Sequence, residues 1–253
     1  MDLGLKGRRA LVTGGSKGIG RRIAEVFAEE GADVAICARH PDEVAATAKE
    51  LGTHGTTVIG SAVDVADGEA LAGWVADSAE RLGGVDIVVA NVSALAIPDT
   101  PENWQASFEV DMLHTVRLVN AAMPHLERSE GGSIVTVSSV SGREVDFAAG
   151  PYGTFKAALI HYTQGLAYQL AGKGIRANTV SPGNVYFPGG VWDNIEQNNP
   201  DLFGVALGLN PTGRMATPEE IARAVVFVAS PAVPFMTGTN LVVDGALTRG
   251  VQF

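Results

Sequence analysis

The sequence predicts an α/β fold, a parallel sheet covered by helices on both faces, and three observations lead there. Short apolar runs alternate with amphipathic stretches of helical length along the chain. The first junction carries Thr13-Gly14-Gly15-Ser16-Lys17-Gly18-Ile19-Gly20, where a strand feeds a tight glycine turn that opens a helix. No Pro/Gly/Ser-rich linker, charge run or internal repeat divides the 253 residues, and 46% hydrophobic content suffices for a sizeable core, so one domain over 1–253 is expected.

Ala10-Leu11-Val12 reads as a buried parallel strand, and Ile19, Ile23, Val26 and Phe27 then recur at helical spacing with Arg21, Arg22, Glu25 and Glu29 between them. Such a turn needs residues free to take positive φ and to let backbone approach a ligand, and the free N–H groups at the helix start favour phosphate. The spacing Gly14-x-x-x-Gly18-x-Gly20 differs from the common dinucleotide fingerprint, and Arg21-Arg22 after Gly20 excludes a Walker loop. Gly31 stops the helix, and 33–39 is a second buried strand with a basic end. In a dinucleotide fold that strand tip faces the adenosine ribose, where a carboxylate takes the 2′-hydroxyl and an arginine accommodates a 2′-phosphate. Ala38 and Arg39 stand there, and Lys17 adds a second cation, so NADP(H) is expected and NAD is the alternative. Asp42 and Glu43 are near enough in sequence to neutralise Arg39.

The rhythm continues with a helix over 41–51, a strand over 56–63 closed by Asp64-Val65, a helix over 67–82 and a strand over 85–90 ending at Asn91. A long helical stretch over 102–128 carries Phe108, Met112, Val116 and Val119, with Pro124 set to kink or end it. A strand over 133–139 leads through a loop to a helix over 152–171. Tyr152 and Lys156, four apart, share a face of that helix, and Ser139 lies at a strand end, where open α/β sheets bind ligands. The segment 184–215 reads as a long connection holding Tyr186, Phe187, Trp192 and Phe203, a substrate cover extending to about 216. Thr217-Pro218-Glu219-Glu220 starts a helix to Ala229, 239–243 is the last strand, and a short apolar tail ends at Phe253.

The net charge of −10 argues against nucleic acid or an anionic membrane as partner. The single cysteine, Cys37, sits in an apolar run and reads as a packed thiol in a reducing compartment. Neither an export signal nor a run of about 18 apolar residues is present, so a cytoplasmic location is expected; no metal site is expected.

Taken in order, Thr13-Gly14-x-x-x-Gly18-Ile19-Gly20, Asp64-Val65, Asn91, Ser139, Tyr152-x-x-x-Lys156, Ser181-Pro182-Gly183 and Val243-Asp244-Gly245 resemble the short-chain dehydrogenase/reductase family, in particular its 3-oxoacyl-acyl-carrier-protein reductases, over essentially the whole chain. The resemblance implies a Rossmann-type doubly wound sheet of about seven strands. It implies a nicotinamide cofactor held by Gly14, Ser16, Lys17, Gly18, Ile19, Gly20, Arg39, Asp64, Val65, Asn91, Tyr152, Lys156, Pro182, Gly183 and Val185. It gives Ser139 the substrate oxygen, Tyr152 the acid/base role, and Lys156 the activation of Tyr152 and the nicotinamide ribose. It also implies homodimers or homotetramers paired through the two long helices. The chemistry is sound: a phenol with its ordinary pKa near 10 is a poor base at neutral pH, and an ammonium about 4 Å away at an effective dielectric of about 20 favours the phenolate by roughly 4 kcal/mol before desolvation.

Three positions depart from the family pattern. Asn91-Val92-Ser93-Ala94 replaces the usual Asn-Ala-Gly, which restricts the backbone beside the cofactor. Asp111 stands where relatives carry an asparagine that anchors a water-linked proton path to the lysine, so it joins the catalytic set; ionised, it pulls against Lys156, and His114 is a candidate partner. Phe187 falls where a threonine bonds the nicotinamide carboxamide. The leading expectation is an NADP(H)-dependent reductase of a small carbonyl, by default a 3-oxoacyl thioester, whose acidic carrier needs a basic patch such as Arg128 with Lys173. The alternatives are an NAD-dependent secondary alcohol or sugar dehydrogenase, and a nucleotide-binding scaffold that has lost efficient chemistry.

Overall fold

Seven strands, β1 (Arg9–Thr13), β2 (Asp33–Ala38), β3 (Val58–Ala62), β4 (Ile87–Ala90), β5 (Ser133–Val137), β6 (Arg176–Pro182) and β7 (Asn240–Val243), form one sheet in the computed structural model, which describes residues 1–251. Their order is β3-β2-β1-β4-β5-β6-β7 and every pairing is parallel. The connecting helices are α1 (Gly18–Glu29), α2 (Pro41–Leu51), α3 (Gly68–Leu82), α4 (Pro101–Ser107), α5 (His114–Leu126), α6 (Pro151–Leu170), α7 (Val191–Asn198), α8 (Pro200–Leu209) and α9 (Pro218–Ala229).

Alternation along the strands divides the core in two. Val12 and Val89 pack with Ile23 and Phe27 of α1 and Ile221 and Val225 of α9 on one face. Their neighbours Leu11 and Val88 pack with Leu71 of α3, Leu118 of α5 and Leu166 of α6 on the other. Chain order reverses between β1 and β4, which opens a crevice above their carboxyl ends where a doubly wound sheet takes its ligand. Cys37 is fully buried, and burial pushes its thiol up to about 12, so it is the inert core group the sequence suggests.

Differences from expectation are local. β3 and β4 each begin two residues late, at Val58 and Ile87. The 102–128 stretch is one continuous helix in three parts, with a π-helical segment Phe108–Leu113 between α4 and α5; Pro124 lies in its last turn. The connection after β6 is not irregular, because it folds into α7 and α8. Asn199 caps α8 by accepting from the Leu202 N–H at 3.2 Å, and Pro200 occupies its first turn. The basic patch that an acidic carrier would need at Arg128 and Lys173 is half neutralised, since Lys173 Nζ lies 2.6 Å from Glu127, while the Arg128 guanidinium is hydrogen-bonded to His125 Nδ1 at 3.0 Å. Among the described residues no helix is long and apolar enough to cross a membrane. The end of the tail, Gln252-Phe253, lies outside the described residues.

Candidate active site

The glycine turn is shaped by steric need. Gly14 and Gly18 have φ of +67° and +52°, and a Cβ on Gly20 would lie 2.1 Å from the Gly14 carbonyl oxygen. Gly14 and Gly15 donate to the Cys37 carbonyl at 2.9 and 3.1 Å, which ties the turn to the end of β2. Asn91, at the end of β4, donates from its backbone to Thr13 Oγ1 at 3.1 Å and from its side chain to the Thr13 carbonyl at 3.2 Å. No side chain caps α1 and no acidic residue sits in its first turn, so its free N–H groups are left for an anion.

His114 supports the same turn from below. Its Nδ1 lies 3.0 Å from the Val110 carbonyl and its Nε2 3.1 Å from Thr13 Oγ1. Burial, against the opposing pull of the Val110 carbonyl and Asp111, pushes the imidazole down to about 4, so the ring is neutral, with Nδ1–H donating to Val110 and Nε2 accepting the Thr13 hydroxyl. His114 is thus a packed histidine partnered by Val110 and Thr13, and makes no hydrogen bond to Asp111, its candidate partner.

A cavity of about 410 Å³ runs from this turn to Ser139, Tyr152, Lys156 and Trp192. Tyr152 and Lys156 stand one turn apart on α6, with Lys156 Nζ 5.5 Å from the phenol ring centroid. The Lys156 ammonium is buried, donates to the Val137 carbonyl at 3.1 Å, and lies 3.2 Å from Asp111 Oδ1, off the line of a hydrogen bond. Asp111, fully buried in the π-helical segment, accepts the Ala94 N–H on its other oxygen at 3.2 Å. The carboxylate thus compensates the only charge that sits beneath the phenol among the described residues. Ser138 donates to the Lys156 carbonyl at 2.7 Å and fixes the end of β5 against α6. Ser139 accepts the Ser141 N–H at 3.2 Å and donates to Ser141 Oγ at 3.3 Å.

Of the residues singled out from sequence, Gly14, Lys17, Gly18, Ile19, Gly20, Asn91, Ser139, Tyr152, Lys156, Pro182, Gly183 and Val185 line this cavity. Asp111 lies behind Lys156. Ser16, Arg39, Asp64 and Val65 stand outside the cavity wall, Arg39 and Asp64 exposed and Val65 packed in the second core. The neutralisation expected at Arg39 falls on Lys17 instead, whose Nζ is 2.7 Å from Glu43. Ser93 needs no positive φ, since Leu95 and Ala246 are the non-glycine residues that adopt it among those described. The ring of Phe187 lies over the turn, and a Cβ on Gly18 would come 2.5 Å from its Cζ. Of the aromatic residues in the 184–215 segment, Phe187 and Trp192 face the cavity, while Tyr186 and Phe203 pack behind Trp192. Sequence reasoning passed over Ser141, Asp146 and Phe147, which also line it. The loop before α6 has no periodicity to mark them.

A family model described as enoyl-(acyl carrier protein) reductase matches residues 14–248. Isoepoxydon dehydrogenase of Penicillium expansum is 40% identical over 261 residues, covering 100% of this chain and 99% of its own. The chain belongs to the short-chain dehydrogenase/reductase family. Among other members, bovine (Bos taurus) L-fucose dehydrogenase is 35% identical over 96% of this chain and 90% of its own. The L-sorbose reductase of Gluconobacter frateurii, solved with NADPH and L-sorbose, is 31% identical and superposes with a TM-score of 0.91 over 99% of this chain and 100% of that one. For a short-chain dehydrogenase/reductase the uncapped α1 terminus and the Gly14–Gly20 approach are the features that fit a dinucleotide diphosphate, and both are intact here.

Proposed function

We propose that this protein is an NADP(H)-dependent oxidoreductase interconverting a carbonyl compound and a secondary alcohol, with Ser139, Tyr152 and Lys156 as its reacting set. The observation that carries the reading is the buried Lys156 ammonium beneath the Tyr152 ring, in the same cavity as the glycine turn. The turn from Gly14 to Gly20, with Asn91, Pro182, Gly183 and Val185, would hold the cofactor, and Arg39 with Lys17 would meet its 2′-phosphate. When bound, the nicotinamide supplies or accepts the hydride.

The protein's own part is proton handling. The Tyr152 hydroxyl gives its proton to the substrate oxygen in reduction and takes it in oxidation. Lys156 draws the phenolate electrostatically, while Asp111 and the Val137 carbonyl hold the ammonium in place. Ser139 turns its hydroxyl from Ser141 to the substrate oxygen and stabilises the charge that develops there. Tyr152→Phe removes the proton donor and lowers turnover by about 10²–10⁴-fold with NADPH affinity retained; full turnover in that variant overturns the reading.

The L-fucose and L-sorbose enzymes among its relatives favour a second reading of the substrate, a sugar or secondary alcohol; the variant of that reading that works with NAD has no support from the L-sorbose reductase, which was solved with NADPH. Assays of sugars, secondary alcohols, simple ketones and 3-oxoacyl thioesters, each with both cofactors, separate the readings by nicotinamide absorbance. The 3-oxoacyl thioester draws on the resemblance and on the 3-oxoacyl-acyl-carrier-protein reductases among its relatives, with the neutralised Lys173 against it. Assembly into homodimers or homotetramers belongs to the same proposal, and sedimentation measures it.

A further inference from the structure

Beyond Ser139, the loop between β5 and α6 forms part of the cavity wall and has no task in the reaction just described. It is ordered by hydrogen bonds whose directions can be assigned. Ser141 Oγ lies 2.6 Å from Asp146 Oδ2, and a carboxylate only accepts, so Ser141 donates there. Its oxygen then receives the Ser139 hydroxyl at 3.3 Å, and the Ala148 N–H donates to Asp146 Oδ1 at 2.8 Å. The chain Ser139 to Ser141 to Asp146 therefore runs from the proposed reacting centre to a carboxylate in the same cavity.

That carboxylate is not saturated. Two oxygens offer about four acceptor positions, and two donors fill half of them. Among the described residues no cation pairs with Asp146. The two lysines of the cavity wall already have partners, Lys17 in Glu43 and Lys156 in Asp111, so Asp146 gives its end of the cavity an uncompensated negative charge. The same cavity is lined by Leu95, Ile97 and, starting at the next residue, the Phe147–Trp192 pair, whose rings meet edge to face at 5.9 Å. A carboxylate next to aromatic and aliphatic faces suits a compound with hydroxyl groups on a carbon ring and no negative charge of its own.

We propose that Asp146 accepts a hydrogen bond from a hydroxyl group near the reacting carbon, and that the substrates are neutral hydroxyl-bearing ketones and their alcohols. The inference rests on Ser139 and Tyr152 flanking that carbon. Asp146 is the specificity residue, and Ser141 is a positioning residue that joins it to Ser139. A site built to bond a hydroxyl binds the analogue without it less well, because the half-buried carboxylate gives up water there and gains no donor in its place, and its charge repels an anion.

The test is reduction of 2-hydroxycyclohexanone, L-sorbose, cyclohexanone and acetoacetate with NADPH, by the wild-type protein, Asp146→Ala and Asp146→Asn. The wild type should favour 2-hydroxycyclohexanone over cyclohexanone at least tenfold in kcat/KM and acetoacetate least. In Asp146→Ala the ratio between the first pair should fall towards one. In Asp146→Asn, which keeps an oxygen for Ser141, the discrimination against acetoacetate should shrink severalfold. NADPH titration by fluorescence and thermal unfolding show whether the variants are folded. Equal use of cyclohexanone and 2-hydroxycyclohexanone by the wild type, no turnover of either hydroxyl-bearing compound, or a preference that survives Asp146→Ala overturns the inference. The reaction itself is judged separately, by Tyr152→Phe: loss of turnover there with the preference unchanged in Asp146→Ala rejects the Asp146 assignment alone.

Discussion

At the scale of single residues, burial decides protonation most sharply at His114. The unfolded imidazole titrates near 6.5 and the folded one is pushed down to about 4. Between those values the unfolded chain binds a proton that the folded chain refuses, so stability rises with pH. The contribution is complete above pH 6.5 and is lost as pH falls towards 4, by about 3 kcal/mol. Urea unfolding at pH 7.5 and 4.5 should show this loss, and His114→Gln should flatten it. A slope unchanged in the variant would place its origin elsewhere. His114 was readable in sequence only as a histidine three residues beyond Asp111. Its bond to Thr13 spans 101 positions and depends on the start of α5 coming to rest against the end of β1.

At the scale of elements, the helix that passes through Phe108–Leu113 is the informative one. Its π-helical segment adds a residue to the turn and presents Asp111 to Lys156 on α6. Removing one partner of a buried pair leaves the other without compensation. Asp111→Ala should therefore lower stability by about 3–5 kcal/mol, while Asp111→Asn, which keeps an oxygen near the ammonium and the Ala94 contact, should lose less. Denaturant midpoints at constant slope measure both. Equal losses in the two variants would show that charge, not shape, is what Lys156 needs there. Helical periodicity over this stretch was legible from Phe108, Met112, Val116 and Val119. The local π-helical widening was not, because the sequence pattern of one wider turn is lost among the α-helical turns on either side. Likewise α8 had a readable start in Asn199-Pro200, yet its Gly204 and Gly208 resembled a loop.

At the scale of the molecule, a net charge of −10 opposes the approach of a polyanionic cofactor, so local cations carry the attraction. Arg39 is exposed at the tip of β2 and, among the described residues, holds no ion pair, whereas Lys17 is already engaged by Glu43. Arg39→Ala should weaken NADPH by about tenfold and leave NADH nearly unchanged, and the NADPH affinity should fall with ionic strength. Fluorescence titration of both cofactors measures this. Equal NADPH affinity in the variant would return the 2′-phosphate to Lys17 or to backbone.

The parallel sheet, its order of elements, the glycine turn and the Tyr152 and Lys156 pair were determined by the sequence itself, because each rests on local periodicity or on steric demands met within a few residues. Tertiary structure alone decided that Asp111 meets Lys156, that Glu43 takes Lys17, that Phe187 lies over Gly18 and that Asp146 joins Ser139 through Ser141. These contacts are set by where separate loops and helices come to rest over the sheet's carboxyl edge, and their geometry depends on packing between segments that no single stretch of sequence encodes.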